Sequence, residues 1–420
     1  MEKNEHRKPL ILQGARQVGK TYSILEFGRT HYENVAYFNF ETNPKLNETF
    51  EENISPNYLI PILSHIAGQT IVTEKTLIVF DEVQLCERAL TSLKYFCENA
   101  PDYYIIVAGS LLGVAVNRAK FSFPVGKVDM KTLYPMDMEE FMLALGEDDL
   151  VEQIKKCFQT DTPLPSALHD AAMQLYRQYL VVGGMPECVM QFAETKDYIL
   201  VRHTQDTILA SYLNDMSKYN NLNEIKKTRL AYDNITVQLS KKNTRFQYKL
   251  IKKGGRASEF ENAIEWLCLS GIVSQGYKVE QIKKPLENYR DIAAFKIYVS
   301  DLGLLCAKKD LVANDILYMV EEINDFKGGM VENYVNVQLS INGYHTYYWE
   351  SKRGAEIDFI IQRDGQLIPI EVKSADNTRA KSLKVYMDTY KPAYAIKLSA
   401  KNFGFEDNKK IVPLYAAFCI

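Results

Sequence analysis

No two of the seven cysteines form a CxxC pair. Cys86, Cys97, Cys157, Cys188, Cys268, Cys306 and Cys419 are scattered, and their number is odd. Such a set argues against a disulfide framework and against a zinc ribbon, and it fits a reducing compartment. The six histidines are equally scattered, with no metal-ligand spacing. A long apolar run is also missing. The most apolar stretch, Ile105 to Val116, is interrupted by Gly109, Ser110 and Gly113 and falls short of the roughly 20 residues a membrane span needs. The polar start, residues 1–8, lacks the apolar core of a secretory signal. A cytoplasmic setting with no membrane partner is therefore expected. Charge of one sign is lacking too: 50 Lys and Arg against 53 Asp and Glu leave a net charge of −3. That balance names no partner, because a local patch can hide inside it.

What is present is an ordinary globular composition, 46% hydrophobic and 25% charged over 420 residues. The first third alternates short apolar runs with helical patterns, which predicts an α/β fold around a parallel sheet. Strands are expected at Pro9–Gln13, Val35–Phe40, Thr76–Phe80, Tyr104–Ala108 and Lys127–Leu133. The acidic cluster Glu147, Asp148 and Asp149 suggests a boundary near residue 150. Helices follow over about 165–215, including Leu168–Val182, which stops at Gly183-Gly184. Residues 216–310 then hold 18 Lys and Arg against ten Asp and Glu, a local excess of eight positive charges. There, a helix at Arg256–Ser270 and strands at 271–274 and 293–299 suggest a winged-helix module. Beyond about 320, a helix at Met330–Leu339, strands at His345–Trp349, Glu356–Ile361 and Leu367–Lys373, a helix at Thr378–Tyr390 and a strand at 392–396 are expected. The organisation so read is a P-loop domain at 1–150, a helical lid at 151–215, a winged-helix-like basic segment at 216–310 and a small α/β domain at 311–420.

Gly14-Ala15-Arg16-Gln17-Val18-Gly19-Lys20-Thr21 has the form GxxxxGK[ST] and follows the apolar strand Leu10-Ile11-Leu12. Successive backbone N–H groups of such a loop point at phosphate oxygens, and the helix that begins near Lys20 adds its positive end. Lys20 is placed to reach the β- and γ-phosphates of ATP, and the Thr21 hydroxyl to ligate Mg²⁺. Thr76-Leu-Ile-Val-Phe80-Asp81-Glu82 is a buried strand with an acidic pair at its carboxyl end, where parallel sheets bind ligands. Asp81 is expected to hold Mg²⁺ through water, and Glu82 to polarise the attacking water. Ser110, at the end of a third apolar strand, is a candidate sensor of the γ-phosphate. Gln84 is a candidate for orienting water, and Arg118 and Lys127 for stabilising transition-state charge.

Together with Leu133-Tyr-Pro-Met136, Glu140-Phe141 and Gly183-Gly-Met-Pro-Glu187, these motifs resemble a prokaryotic group of AAA-type ATPases. In that group a P-loop domain precedes a winged-helix region and a C-terminal domain of unknown function. The resemblance implies an ATP-binding protein. It also implies a helical stretch before the first strand, where only eight residues precede Pro9, and Gly-Arg where this chain has Gly126-Lys127.

The C-terminal third offers a second constellation. Positions i and i+2 of a strand share a face. Glu371 and Lys373 therefore point the same way, and the hairpin turning at Asp364-Gly365 brings Asp358 alongside. Glu332 on the preceding helix adds a carboxylate. Asp358, Glu371 and Glu332 are candidate ligands of a second divalent cation, Mg²⁺ or Mn²⁺, and Lys373 a candidate catalytic residue that positions or activates water. The set resembles the PD-(D/E)XK nuclease fold. The same residues also read as the solvated face of an amphipathic strand. Lys241, Lys242, Arg245, Lys249, Lys252, Lys253 and Arg256 form a candidate DNA or RNA footprint. Two functions follow: an ATPase coupled to a nuclease, or a nucleotide switch whose inactive C-terminal domain binds a protein partner or joins an oligomer. They differ in whether Lys373 converges with both acids or points to solvent.

Overall fold

A computed structural model describes residues 7–110, 112, 123–218, 222–239, 245–373 and 381–420. Arg118, Lys241 and Lys242 lie outside the described residues. The chain forms two compact units: residues up to Tyr134 with Leu269–Gly271, and Pro135–Cys268 with Ile272–Ile420.

The first unit is built on five parallel strands: β1 (Leu10–Gln13), β2 (Asn34–Asn39), β3 (Thr76–Asp81), β4 (Tyr104–Ala108) and β5 (Asp129–Thr132). All five expected strands are present. Their spatial order is β2-β3-β4-β1-β5. Burial explains that order. All six residues of β3 and all five of β4 are buried, and their unbroken apolar runs suit strands covered on both faces. β5 carries Asp129 and Lys131, is exposed throughout, and sits at an edge, where charge discourages further pairing. Phe38, Phe40, Phe50 and Phe80 fill the core on one face, with ring centroids 5.5–6.0 Å apart. The consequence for function is positional. β4 lies between β1 and β3, so the loops leaving these three strands open side by side at one edge of the sheet.

The second unit begins with helices, among them Met138–Ala144, Asp148–Thr160, Ser166–Val182, Pro186–Thr195 and Tyr198–Lys218. Leu222–Leu239, Tyr248–Ile251 and Ala257–Leu269 come next, followed by the antiparallel pair β6 (Val273–Val279) and β7 (Arg290–Val299). The last part runs from a helix at Asn324–Ile341 through β8 (Tyr347–Glu350), β9 (Glu356–Arg363) and β10 (Gln366–Val372). A helix at Lys381–Tyr390 leads to β11 (Ala395–Ser399), then β12 (Gly404–Glu406) and β13 (Lys409–Pro413). The eight strands form one sheet in the order β12-β13-β11-β10-β9-β8-β6-β7.

The hairpin β6–β7 is thus not a free wing. It joins the sheet of the C-terminal third through parallel pairing of Tyr277 with Tyr347 and Lys278 with Tyr348. Tyr176 and Tyr179 on the helix Ser166–Val182 meet Tyr334 on Asn324–Ile341, with centroids 4.9 and 5.8 Å apart. The helices after residue 135 therefore share a core with the C-terminal third.

Candidate functional site

In the first unit the glycine-rich loop is shaped by its surroundings. Gly14 has φ +148°, and a Cβ there would stand 2.1 Å from the Leu133 carbonyl oxygen, so no other residue fits. Gly19 is left-handed, and the helix Lys20–His31 starts directly after it. Lys20 is buried and donates to the carbonyls of Gly14 (3.0 Å) and Ala15 (2.6 Å), bending its ammonium over the loop. The Thr21 hydroxyl donates to Asp81 Oδ2 at 2.8 Å, joining the helix start to the end of β3. Tyr37, from the neighbouring β2, donates to the same oxygen at 2.7 Å. Burial and its bond to Asp81 contribute to pushing the Tyr37 phenol up to about 12, so it stays a donor at neutral pH.

Glu82 follows with φ +52°, a left-handed backbone uncommon for a residue with a side chain. Gln84 Nε2 donates to Glu82 Oε2, and Glu82 N donates to Asp81 Oδ1 at 2.9 Å. Burial raises the Glu82 carboxyl above its ordinary range, against the pull of Gln84. The other end of Gln84 lies over Gly109, where a Cβ would be 2.1 Å from Gln84 Oε1. Ser110, buried, stands just past β4 between the two halves of the site. Lys20, Thr21, Asp81, Glu82, Gln84 and Ser110 are therefore gathered at the carboxyl ends of β1, β3 and β4. Lys127 is elsewhere: it pairs with Glu98 at 2.9 Å on the surface. The ring of Tyr37 went unread because its only sequence signal is position on the strand beside β3.

The second unit holds a cluster of charges on one sheet face. Glu371 is buried, and Lys373 pairs with its Oε1. Glu371 Oε2 is buried and has no hydrogen-bond partner among the described residues. Asp358 Oδ2 accepts the Val372 N–H at 2.7 Å, which ties β9 to β10 beside that pair. Glu332 reaches in from the helix Asn324–Ile341. Lys296 of β7, only 2% exposed, stands 2.8 Å from Glu332 and 2.7 Å from Glu356. The Tyr298 hydroxyl donates to Glu332 at 2.7 Å. Burial, with Glu332 and Glu371 adjacent, pushes the Asp358 carboxyl well above the carboxylate range. Burial also raises Glu371, against the pull of Lys373. Burial opposes the charge on Lys296, yet Glu332, Glu356 and Asp358 outweigh it and hold the ammonium protonated.

Glu332, Asp358, Glu371 and Lys373 thus belong to one cluster, with Lys373 turned into it. Among the described residues, however, no group of three or more His, Cys, Asp or Glu side chains is placed to hold a metal ion. Two ammonium groups, those of Lys296 and Lys373, pair with these carboxylates instead. Sequence reading missed Lys296, Tyr298 and Glu356. The available signals were a single lysine inside the apolar run Ala293–Val299 and the i, i+2 relation of Glu356 to Asp358.

The ion pairs of the basic segment draw in carboxylates from outside it, Glu350 and Glu332 among them. Lys227, Lys252, Lys278, Arg290, Lys296 and Lys308 all make ion pairs with carboxylates. Lys249, Lys253 and Arg256 remain exposed. The helix Ala257–Leu269 also exposes Glu261 and Glu265, one turn apart.

Three family models match the chain. One described as AAA domain matches residues 6–142. Domain of unknown function (DUF8612) matches 173–315, and Domain of unknown function (DUF4143) matches 327–417. No curated protein matches. Among solved structures, the Aeropyrum pernix ORC2 protein is similar at 13% identity, over 75% of this chain and 87% of that one, with a TM-score of 0.37. The Thermotoga maritima RuvB Holliday junction branch migration motor is similar at 14% identity, over 64% and 82%, with a TM-score of 0.27. Cdc6p from Pyrobaculum aerophilum is similar at 12% identity, over 75% and 89%, with a TM-score of 0.24. Residues 6–142 carry an AAA-type P-loop ATPase domain. No helix among the described residues is long and apolar enough to cross a membrane.

Proposed function

We propose that the chain is a Mg²⁺-dependent ATPase linked to a PD-(D/E)XK-nuclease-like C-terminal domain that acts on nucleic acid. The observation that carries the ATPase is the junction of Thr21 with Asp81, flanked by Lys20 and Glu82 at adjacent strand ends. The residues fit the ligand. The loop backbone cradles phosphate, Lys20 swings from loop carbonyls to phosphate oxygens, and Thr21 and Asp81 supply hard oxygen donors to Mg²⁺. Bound Mg²⁺ would neutralise charge on the phosphates. Glu82, held by Gln84, orients and deprotonates the attacking water, and Ser110 donates toward the γ-phosphate from between the two halves.

For the C-terminal domain, support comes from the succession helix, β8, β9, β10, helix, β11, with Asp358 on β9, Glu371 on the adjacent β10 and Lys373 directly after it. Its donors are all oxygen, and Glu371 Oε2 has no partner among the described residues. A divalent cation there would supply charge stabilisation to a phosphodiester, with Lys373 holding the water. Asp358→Ala should abolish the rise in melting temperature that Mn²⁺ produces without ATP, because a ligand of the folded state stabilises it by mass action. A rise that survives Asp358→Ala would place the ion elsewhere. Nuclease activity on mixed DNA and RNA should vanish in Lys373→Ala.

The order of three helices and a hairpin over 222–299 supports a winged-helix-like module. Its exposed Lys249, Lys253 and Arg256 are the phosphate contacts we assign. Changing all three to Glu should flatten the salt dependence of nucleic-acid binding. Each lost contact to duplex DNA reduces the log–log slope by roughly 0.9. A second reading, a nucleotide switch whose C-terminal domain binds a protein partner, is favoured by Glu261 and Glu265, which would repel phosphate along that helix. An unchanged salt slope, with no cleavage by the wild-type chain, would select it.

A further inference from the structure

We propose that Tyr37 is a positioning residue for ATP hydrolysis, whose hydroxyl holds Asp81 in the orientation that receives nucleotide-bound Mg²⁺. The inference rests on the reading of the first unit as a Mg²⁺-dependent ATPase. Its basis is the ladder between β2 and β3. Tyr37 stands opposite Val79, and Asn39 opposite Asp81. Positions two apart share a face, so these four side chains lie on one side of the sheet. The Tyr37 ring spans the single step toward the carboxyl end of β3, and its hydroxyl donates to Asp81 Oδ2 at 2.7 Å. Asn39 fixes the phenol from behind. Its Nδ2 donates to the Tyr37 oxygen at 3.2 Å, while its Oδ1 accepts the Glu41 and Thr42 N–H groups at 2.9 and 3.0 Å. The donor is thus anchored to the turn that leaves β2.

The two oxygens of the buried Asp81 are then used differently. Oδ2 accepts both the Thr21 and the Tyr37 hydroxyl, and Oδ1 accepts the Glu82 N–H. A carboxylate oxygen has about two acceptor sites. Among the described partners Oδ2 is therefore filled, and Oδ1 keeps capacity for a water of the metal. Thr21 gives its proton to Asp81 and so retains its own lone pairs for Mg²⁺. Without the Tyr37 hydroxyl the carboxylate can turn about its Cβ–Cγ bond, and both the Thr21 alignment and the acceptor on Oδ1 loosen. The phenol keeps its proton at neutral pH, so the donor is permanent. Tyr37 acts through Asp81.

The test is Mn²⁺ binding, read from loss of the free-ion EPR signal, to the full chain mixed with a limiting amount of the non-hydrolysable analogue AMP-PNP. The same titration without nucleotide is subtracted. Tyr37→Phe should raise the Mn²⁺ dissociation constant about tenfold or more, as loss of a group that orients a metal site commonly does. Its affinity for AMP-PNP in EDTA should equal that of wild type. In turnover, the Mg²⁺ concentration for half-maximal rate should rise by the same factor, and excess Mg²⁺ should restore the wild-type rate. Tyr37→Leu removes the same hydroxyl, should repeat the shift, and serves if the Phe variant does not fold. An unchanged Mn²⁺ dissociation constant, an equal loss of analogue affinity with and without metal, or failure of both variants to fold would overturn the inference, since Tyr37 would then only tie β2 to β3. The wild-type chain separates the two levels. If it binds no AMP-PNP, or binds it without Mn²⁺, the ATPase reading fails and the inference with it. If it binds both and Tyr37→Phe binds Mn²⁺ equally well, only the role of Tyr37 fails.

Discussion

Glu82→Gln is expected to bind ATP as the wild-type chain does and to hydrolyse it about a hundredfold or more slowly. The amide keeps the volume and the hydrogen-bond reach of the carboxylate but cannot take a proton from water. The backbone supports that assignment, because Glu82 is held at φ +52°, and left-handed strain in a residue with a side chain clusters at working sites. Gln84 has a distinct part. It holds Glu82 Oε2 and lies over Gly109 at the end of β4. Gln84→Ala should therefore lower turnover by less than Glu82→Gln while leaving nucleotide affinity unchanged. Lys20→Ala should act on the other term. It removes a charge-assisted contact to phosphate worth about 1.5–3 kcal/mol, so ATP affinity should fall roughly tenfold to a hundredfold. Titration with a fluorescent ATP analogue and single-turnover hydrolysis separate these effects. Wild-type turnover in Glu82→Gln would remove Glu82 from the role of base.

The nucleotide site is legible in the sequence because its parts are local. Eight consecutive residues make the loop, and the acidic pair ends a run of buried residues whose apolar character marks a central strand. Only Tyr37 escapes, since its value depends on β2 lying beside β3. The C-terminal cluster divides differently. Asp358, Glu371 and Lys373 can be read from strand alternation and a hairpin turn. Lys296 cannot, because it meets Glu332 and Glu356 across 36 and 60 residues of chain, through a register that no local pattern encodes. The same limit applies to the basic segment. Counting charges gives an excess of eight, but the pairing of Lys278 with Glu350 and of Lys296 with Glu332, carboxylates outside the segment, is a property of the folded chain. The short strands β12 and β13, with lysines at the start of β13, carry too little apolar pattern to be anticipated.

Motifs that the family resemblance marks out beyond the nucleotide site have packing reasons, and these yield the largest expected effect on stability. Asp137 and Glu140 form a capping box: Glu140 N donates to Asp137 Oδ1 at 2.8 Å, and Asp137 N to Glu140 Oε2 at 3.0 Å. Gly184 packs against the backbone of Met136, far back along the chain. Met136 N donates to its carbonyl at 2.7 Å, and a Cβ on Gly184 would stand 1.9 Å from the Met136 carbonyl oxygen. On its other side, the Gly184 N–H donates to Asp301 Oδ2 at 2.6 Å, while Asp301 Oδ1 caps the helix Leu302–Lys308 through Leu304 N at 2.8 Å. Gly184→Ala therefore meets Met136 backbone, with no flexible side chain to yield, in a residue whose own N–H is tied to a buried carboxylate. A cost of about 4 kcal/mol or more is expected, enough to leave most chains unfolded or aggregated. Asp301→Ala tests the same junction from its partner. It strands at least two buried N–H groups at about 1–3 kcal/mol each and should lower the melting temperature strongly. Burial pushes the Asp301 carboxyl up to about 6 despite the N–H groups that favour its charge. Its folded pKa thus lies above the unfolded value, so its contribution to stability declines as pH rises from about 4 to about 6 and is level above. The loss in Asp301→Ala should accordingly be larger at pH 4 than at pH 7. A loss that grows with pH across that window, or a Gly184→Ala chain that melts within a degree of wild type, would show that this junction does not hold the second unit together.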